Sequence, residues 1–98
     1  GRQVQDHKNR RLMEIRYTET ALEHRDFWRQ SGQKSIMRKI SSLLDDIAEH
    51  PTTGIGKPEQ LKHELSGVWS RHINQGNRIV YEVHSDHIMV LAMKGHYE

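Results

Sequence analysis

The sequence predicts an α+β domain: an N-terminal strand, two helices and then an antiparallel meander, with both helices on one sheet face. Three observations point there. Met13-Glu14-Ile15-Arg16-Tyr17 alternates apolar and polar residues at period two. Ile36, Met37, Ile40, Leu43, Leu44, Ile47 and Ala48 mark one face of an amphipathic helix. Three strand-like runs then follow, Val68–Ile73, Arg78–Val83 and Ile88 to Met93.

The first strand is short, with one face exposed. Thr18 is placed to cap the next segment, where Ala21, Leu22, Phe27 and Trp28 make a rough helical stripe. Gly32 falls just past its end, the usual place for a left-handed stop. The second helix carries the clearest periodicity in the chain, and Pro51 lies beyond its end. Residues 51–58 (PTTGIGKP) read as a loop on composition. Glu59 to Leu65 is expected to add a turn or two of helix, and Ser66-Gly67 a turn before the meander. Asn74 to Asn77 and His84 to His87 are short enough to close hairpins. The run from Ile88 to Met93 is apolar at both parities, which predicts a central strand buried on both faces. Two helices cannot cover both faces of such a four-strand sheet, so one face should stay partly open.

Ninety-eight residues make one domain. The net charge of +2 hides a split. Residues 1–12 hold Arg2, Lys8, Arg10 and Arg11 against Asp6, a net of +3, whereas the chain from Met13 holds 11 basic and 12 acidic residues. Gross charge therefore argues against a strongly basic nucleic-acid binder, and any phosphate contact must come from a local cluster. Residues 1–12 are read as a flexible leader added ahead of a natural start at Met13, with a native polyanion-binding arm as the alternative. Residues 13–98 form the domain. No apolar run approaches the roughly 20 residues that span a bilayer, and no signal peptide is evident, so a cytoplasmic protein is expected. The absence of cysteine excludes disulfides and thiolate chemistry.

No P-loop, dinucleotide fingerprint, His-Glu-x-x-His or Gly-x-Ser-x-Gly is present. The eight histidines lack ligand spacing, so no metal or cofactor is expected and most imidazoles should face solvent. The second half nonetheless gathers Lys57, Glu59, Lys62, Arg71, His72, Arg78, Lys94, His96 and Tyr97. A carboxylate base and an imidazole acid, with guanidinium groups between them, can cleave RNA without metal. Trp69 and Tyr81 are expected in the core. Arg71 shares strand parity with Trp69 and Ile73, which suits a structural or partner-facing salt bridge better than a substrate contact.

The stretch from Gly56 to Arg71 (GKPEQLKHELSGVWSR) resembles the signature block of the YoeB/Txe toxins, within the RelE/ParE superfamily of toxin–antitoxin systems. Asn77-Arg78-Ile79-Val80-Tyr81 is similar to the group's H-R-[LI]-V-Y, with Asn in place of His, and His96-Tyr97 to its terminal His-Tyr. The likeness runs from Met13 to Tyr97. It implies a RelE-like, microbial-RNase-like fold and a metal-independent mRNA endoribonuclease acting in the ribosomal A site. By position, Glu59 resembles the general base, His96 the general acid and Arg78 the transition-state arginine. Lys62, His72 and Tyr97 resemble substrate contacts. The implied partners are a YefM/Axe-like antitoxin, partly disordered when free, the bacterial ribosome and mRNA. Operator DNA would be met only through the antitoxin complex; monomer and homodimer both stay open, and no membrane is involved.

Two departures stand out. His72 occupies a position where relatives often carry a second arginine, and Glu98 follows the tyrosine that ends many of them. A rival reading is a non-catalytic antitoxin-binding co-repressor, which would be expected to lose at least one of Glu59, Arg78 and His96. A gyrase-directed relative would need neither the Lys-Pro-Glu loop nor the closing His-Tyr.

Overall fold

A computed structural model describes residues 12–61 and 67–95. The elements in chain order are β1 (Glu14–Tyr17), α1 (Glu19–Ser31), α2 (Lys34–Glu49), β2 (Glu59–Gln60), β3 (Val68–Asn74), β4 (Asn77–Val83) and β5 (His87–Ala92). They form one sheet in the order β1-β5-β4-β3-β2. β1 runs parallel to β5, and the remaining neighbours are antiparallel. The α+β order of strand, two helices and meander is therefore as expected, with one extra strand at the far edge.

The helix ends follow local chemistry. Thr18 accepts the Ala21 N–H at 3.1 Å and donates its own hydroxyl to Leu91 O, so one residue caps α1 and fastens it to β5. Gly32 closes α1 in the left-handed conformation, with φ 73°. α2 presents Ile40, Leu43 and Ile47 to the sheet, where they meet Ile73, Ile79, Tyr81, Ile88, Val90 and Met93. These strand residues share one face, as their registers require. Trp28 Nε1–H donates to Met93 O at 2.8 Å, and the Met93 N–H donates to His24 Nδ1 at 3.0 Å. α1 thus holds both backbone polar groups of the residue that follows β5.

Three expectations are corrected. Glu59–Gln60 is extended, pairing with Ser70 and Trp69, instead of starting a helix; residues 62–66 lie outside the described residues. The pairing explains the change, because β3 offers an open edge that satisfies these two backbones. β5 is not fully buried on both faces: Ile88 and Val90 are inaccessible, whereas Met89 and Leu91 on the second face are half-buried. Both helices lie on the first face, so the second is covered less completely. Among the described histidines only His50 and His84 are exposed, because His24, His72 and His87 sit on packed elements.

Candidate active site

The second sheet face is built by register. Glu59 lies opposite Ser70, Ser70 opposite Val80, and His72 opposite Arg78, so all five side chains share one side of the sheet. Across that face Arg78 Nη1 stands 3.6 Å from Glu59 Oε1. The distance exceeds that of a good hydrogen bond, so this is a loose ion pair. The Arg78 side chain is 23% exposed and that of Glu59 62%. A pair this open is worth at most about 1 kcal/mol, and an incoming phosphate can displace it at little cost.

Ser70 sits between Glu59 and Val80 and is fully buried, and its hydroxyl has no hydrogen-bond partner among the described residues. The chain after β5 returns to the same place. Arg78 N–H donates to Gly95 O at 3.0 Å, and Gly95 N–H donates to Asn77 Oδ1 at 2.8 Å. Asn77 Nδ2 donates in turn to Asn74 Oδ1. The asparagine that departs from the expected histidine is thus the anchor of the segment leading to His96.

Arg71 is the opposite case. Its side chain is inaccessible and lies on the helix-covered face. Nη1 meets Asp46 Oδ2 at 2.6 Å and Ile55 O at 3.0 Å, Nη2 donates to His50 O and Thr53 O, and Nε donates to Tyr81 Oη. The Tyr81 hydroxyl donates in turn to Pro51 O at 2.7 Å. Burial pushes the Tyr81 hydroxyl upward, against the lowering effect of Arg71. Burial would also raise the Asp46 carboxyl, but Arg71 and the Ile55 N–H outweigh it and hold Asp46 below its ordinary value. This network shapes residues 50–56, and Gly56 O then accepts the His72 N–H at 2.8 Å. A side chain on Gly56 would meet Leu43 Cδ2 at 2.6 Å, so the loop closes only with glycine there.

Of the residues expected in the site, Glu59 and Arg78 are brought together and His72 lies beside them. Lys62, His96 and Tyr97 lie outside the described residues. Sequence reading missed Ser70, Asn77 and Asp46. The parity of Ser70 with Glu59 could not be read before β2 was known to be a strand, and Asp46 looks like any solvated helix carboxylate.

The fold and this face define a class: a small α+β domain carrying a carboxylate and a guanidinium on the sheet face opposite its two described helices. Comparison then narrows it. A family model described as YoeB-like toxin of bacterial type II toxin-antitoxin system matches residues 17–97. Toxin YoeB of Synechocystis sp. is 40% identical over 86 residues, covering 88% of this chain and 99% of the relative. The YoeB dimer from Staphylococcus aureus superposes with a TM-score of 0.78 at 38% identity, covering 87% of this chain and 98% of that one. The YoeB-YefM complex from the same organism gives 0.75, with the same identity and coverage. The chain belongs to the YoeB-like toxins of type II toxin–antitoxin systems.

Proposed function

We propose that this toxin is an mRNA endoribonuclease that works on the ribosome, without metal, by using the ribose 2′-OH as nucleophile. The observation that carries the reading is the Glu59–Arg78 pair on the sheet face opposite the two described helices. Family membership supports it, as does the tether that brings Gly95, one residue before His96, against Arg78.

In the proposed reaction Glu59 takes the 2′-OH proton, and the 2′-oxygen attacks the adjacent phosphorus. Arg78 leaves Glu59 for the phosphate and neutralises the charge that develops on its oxygens. The P–O5′ bond breaks, and His96 supplies the proton that the leaving 5′-oxygen needs. The products are a 2′,3′-cyclic phosphate and a 5′-hydroxyl. His72 would add a pH-dependent phosphate contact, while Lys62 and Tyr97 would hold the substrate.

The proposed regulator is a YefM-like antitoxin, since a relative in the same family is known as a YoeB-YefM complex, and a homodimer is proposed from the S. aureus YoeB dimer. Both would act in the cytoplasm, where the ribosome is. No described helix is long and apolar enough to cross a membrane.

The test is cleavage of ribosome-bound mRNA. Glu59→Gln and His96→Gln should each lose about 10²–10⁴-fold in rate. An mRNA with 2′-deoxyribose at the scissile position should resist cleavage. Cutting of that deoxy substrate would identify water as the nucleophile and overturn the mechanism. Undiminished cleavage by the Glu59→Gln and His96→Gln variants would remove the assigned roles, and an inert wild-type protein would favour the co-repressor reading.

A further inference from the structure

A cleft of about 370 Å³ lies at the β3 edge of the sheet, next to the Glu59–Arg78 face. Three elements bring basic groups to it: Lys39 from α2, Lys57 from the loop before β2, and His72 from β3. The Asn74–Gln75 turn closes one end, and none of the lining residues is acidic. In a domain whose net charge from Met13 onward is −1, an all-basic cleft is a local concentration of positive potential.

The backbone at Lys57 adds a second observation. It is the only described non-glycine residue with positive φ, at 55°, and it follows Gly56 at φ 80°. A side chain in the left-handed region costs about 1 kcal/mol or more, and glycine would avoid that cost. The loop is nevertheless pinned there by Gly56 O on the His72 N–H and by the tight seat of Gly56 against Leu43. The ammonium is therefore presented from a fixed turn, not from a free loop.

Position gives the cleft its meaning. His72 is directly opposite Arg78 in the β3–β4 register, so a step of one strand, about 5 Å, leads from the arginine to the imidazole. Gly56 O accepts the His72 N–H, so the loop carrying Lys57 flanks this edge, and Lys39 reaches the cleft from α2, on the helix-covered side. A phosphodiester chain with one phosphate at Arg78 that continues past His72 and over this edge would deliver its neighbouring phosphate to the cleft.

We infer that this cleft is a second phosphate subsite, which holds the RNA phosphate adjacent to the scissile one through Lys39, Lys57 and His72. The inference rests on the ribonuclease reading above. It assigns Lys39 and Lys57 to ground-state binding of the RNA strand and leaves the chemical step to the Glu59–Arg78 face.

The experiment measures binding of the toxin to ribosomes carrying an mRNA made uncleavable by a single 2′-deoxyribose at the scissile position. A Lys39→Ala, Lys57→Ala double variant should bind about tenfold more weakly. Alanine keeps the backbone conformation at position 57 while removing the charge. The slope of log K against log salt should fall by about 0.7, the value for one phosphate no longer neutralised on a single strand. On cleavable mRNA at saturation, its cleavage rate should stay within about twofold of wild type.

The decisive arm replaces the phosphate on the 5′ side, or in a second mRNA on the 3′ side, of the scissile linkage by an uncharged methylphosphonate. One of the two should weaken the wild-type toxin about tenfold and the double variant far less, because only the His72 contact is left to lose. If both replacements weaken wild type and variant by equal factors, or neither weakens the wild type, the subsite does not exist. An unchanged affinity of the double variant would overturn it too. Failure of the underlying reading shows separately, as cleavage that survives Glu59→Gln or an all-ribose mRNA that is never cut.

Discussion

Arg71 and Arg78 are the same residue type on paired strands, yet they do opposite things. Arg71 is inaccessible and spends its donors on Asp46, Tyr81 and three loop carbonyls. Among the described residues the Arg78 side chain makes one loose contact, to an exposed carboxylate. Substitutions should separate the two. Asp46→Asn leaves the buried Arg71 charge without its counter-ion and should cost about 2–3 kcal/mol, read as a lower urea midpoint at unchanged m-value. Arg78→Ala should move stability by no more than about 1 kcal/mol, yet lower cleavage about 10²–10³-fold. Equal losses in both assays for both variants would erase the distinction. His24 offers a pH test at the same scale. Burial lowers its pKa, with help from Lys94 and against Glu23, and its Nδ1 must stay unprotonated to accept the Met93 N–H. The unfolded chain then binds the proton more readily, so stability falls as pH drops through about 6.5. His24→Asn keeps an acceptor that cannot titrate. Its melting temperature should fall less than that of wild type between pH 7.5 and 5.5, as calorimetry would show.

Among the elements, the most informative connection joins the start of β4 to the segment after β5. Asn77 holds Gly95 by one side-chain bond while Arg78 holds it by a backbone bond, so the residue preceding His96 is fastened beside the arginine. Asn77→Ala should release the Gly95 amide to faster hydrogen exchange and slow cleavage about tenfold, because misplacing an acid costs rate before it costs fold. Asn77→Asp retains an acceptor oxygen and should restore both. Persistent protection of Gly95 in the alanine variant would show that the backbone bond suffices. β2 teaches a different lesson. Nothing within Glu59–Leu65 announces a strand, since Leu61 and Leu65 stand one helical turn apart. The two-residue strand exists because β3 has an edge to pair with, and that edge turns the Glu59 side chain toward Arg78.

For the whole molecule, charge and partner set the expected behaviour. The domain from Met13 carries 11 basic and 12 acidic residues, so it lacks the long-range field of a general RNA binder. Arg78, His72, Lys57 and Lys39 are instead gathered locally, at the second sheet face and the cleft at its β3 edge. The ribosome would then supply proximity that free RNA does not, which can replace several kcal/mol of direct affinity. With residues 1–12 removed, the domain should bind and cut naked RNA poorly while cutting ribosome-bound mRNA well. Removal matters because the +3 of residues 1–12 can attract RNA by itself. Efficient, sequence-specific cleavage of naked RNA by the trimmed chain would contradict this.

What the sequence determined by itself was whatever depends on neighbours a few residues apart. The Thr18 cap, the Gly32 stop, the α2 stripe and the hairpins of the meander are all set by local spacing, and each is where the pattern puts it. Residue likeness further placed Glu59 and Arg78 in one candidate site, and strand parity assigned Arg71 to structure. Tertiary structure decided the rest. Whether Glu59 is helical or extended, which carboxylate pairs with Arg71, and what Asn77 holds all depend on contacts between segments far apart in the chain. Such contacts are selected by strand register and by the requirement that buried backbone groups and charges find partners. Neither leaves a periodic trace in the sequence.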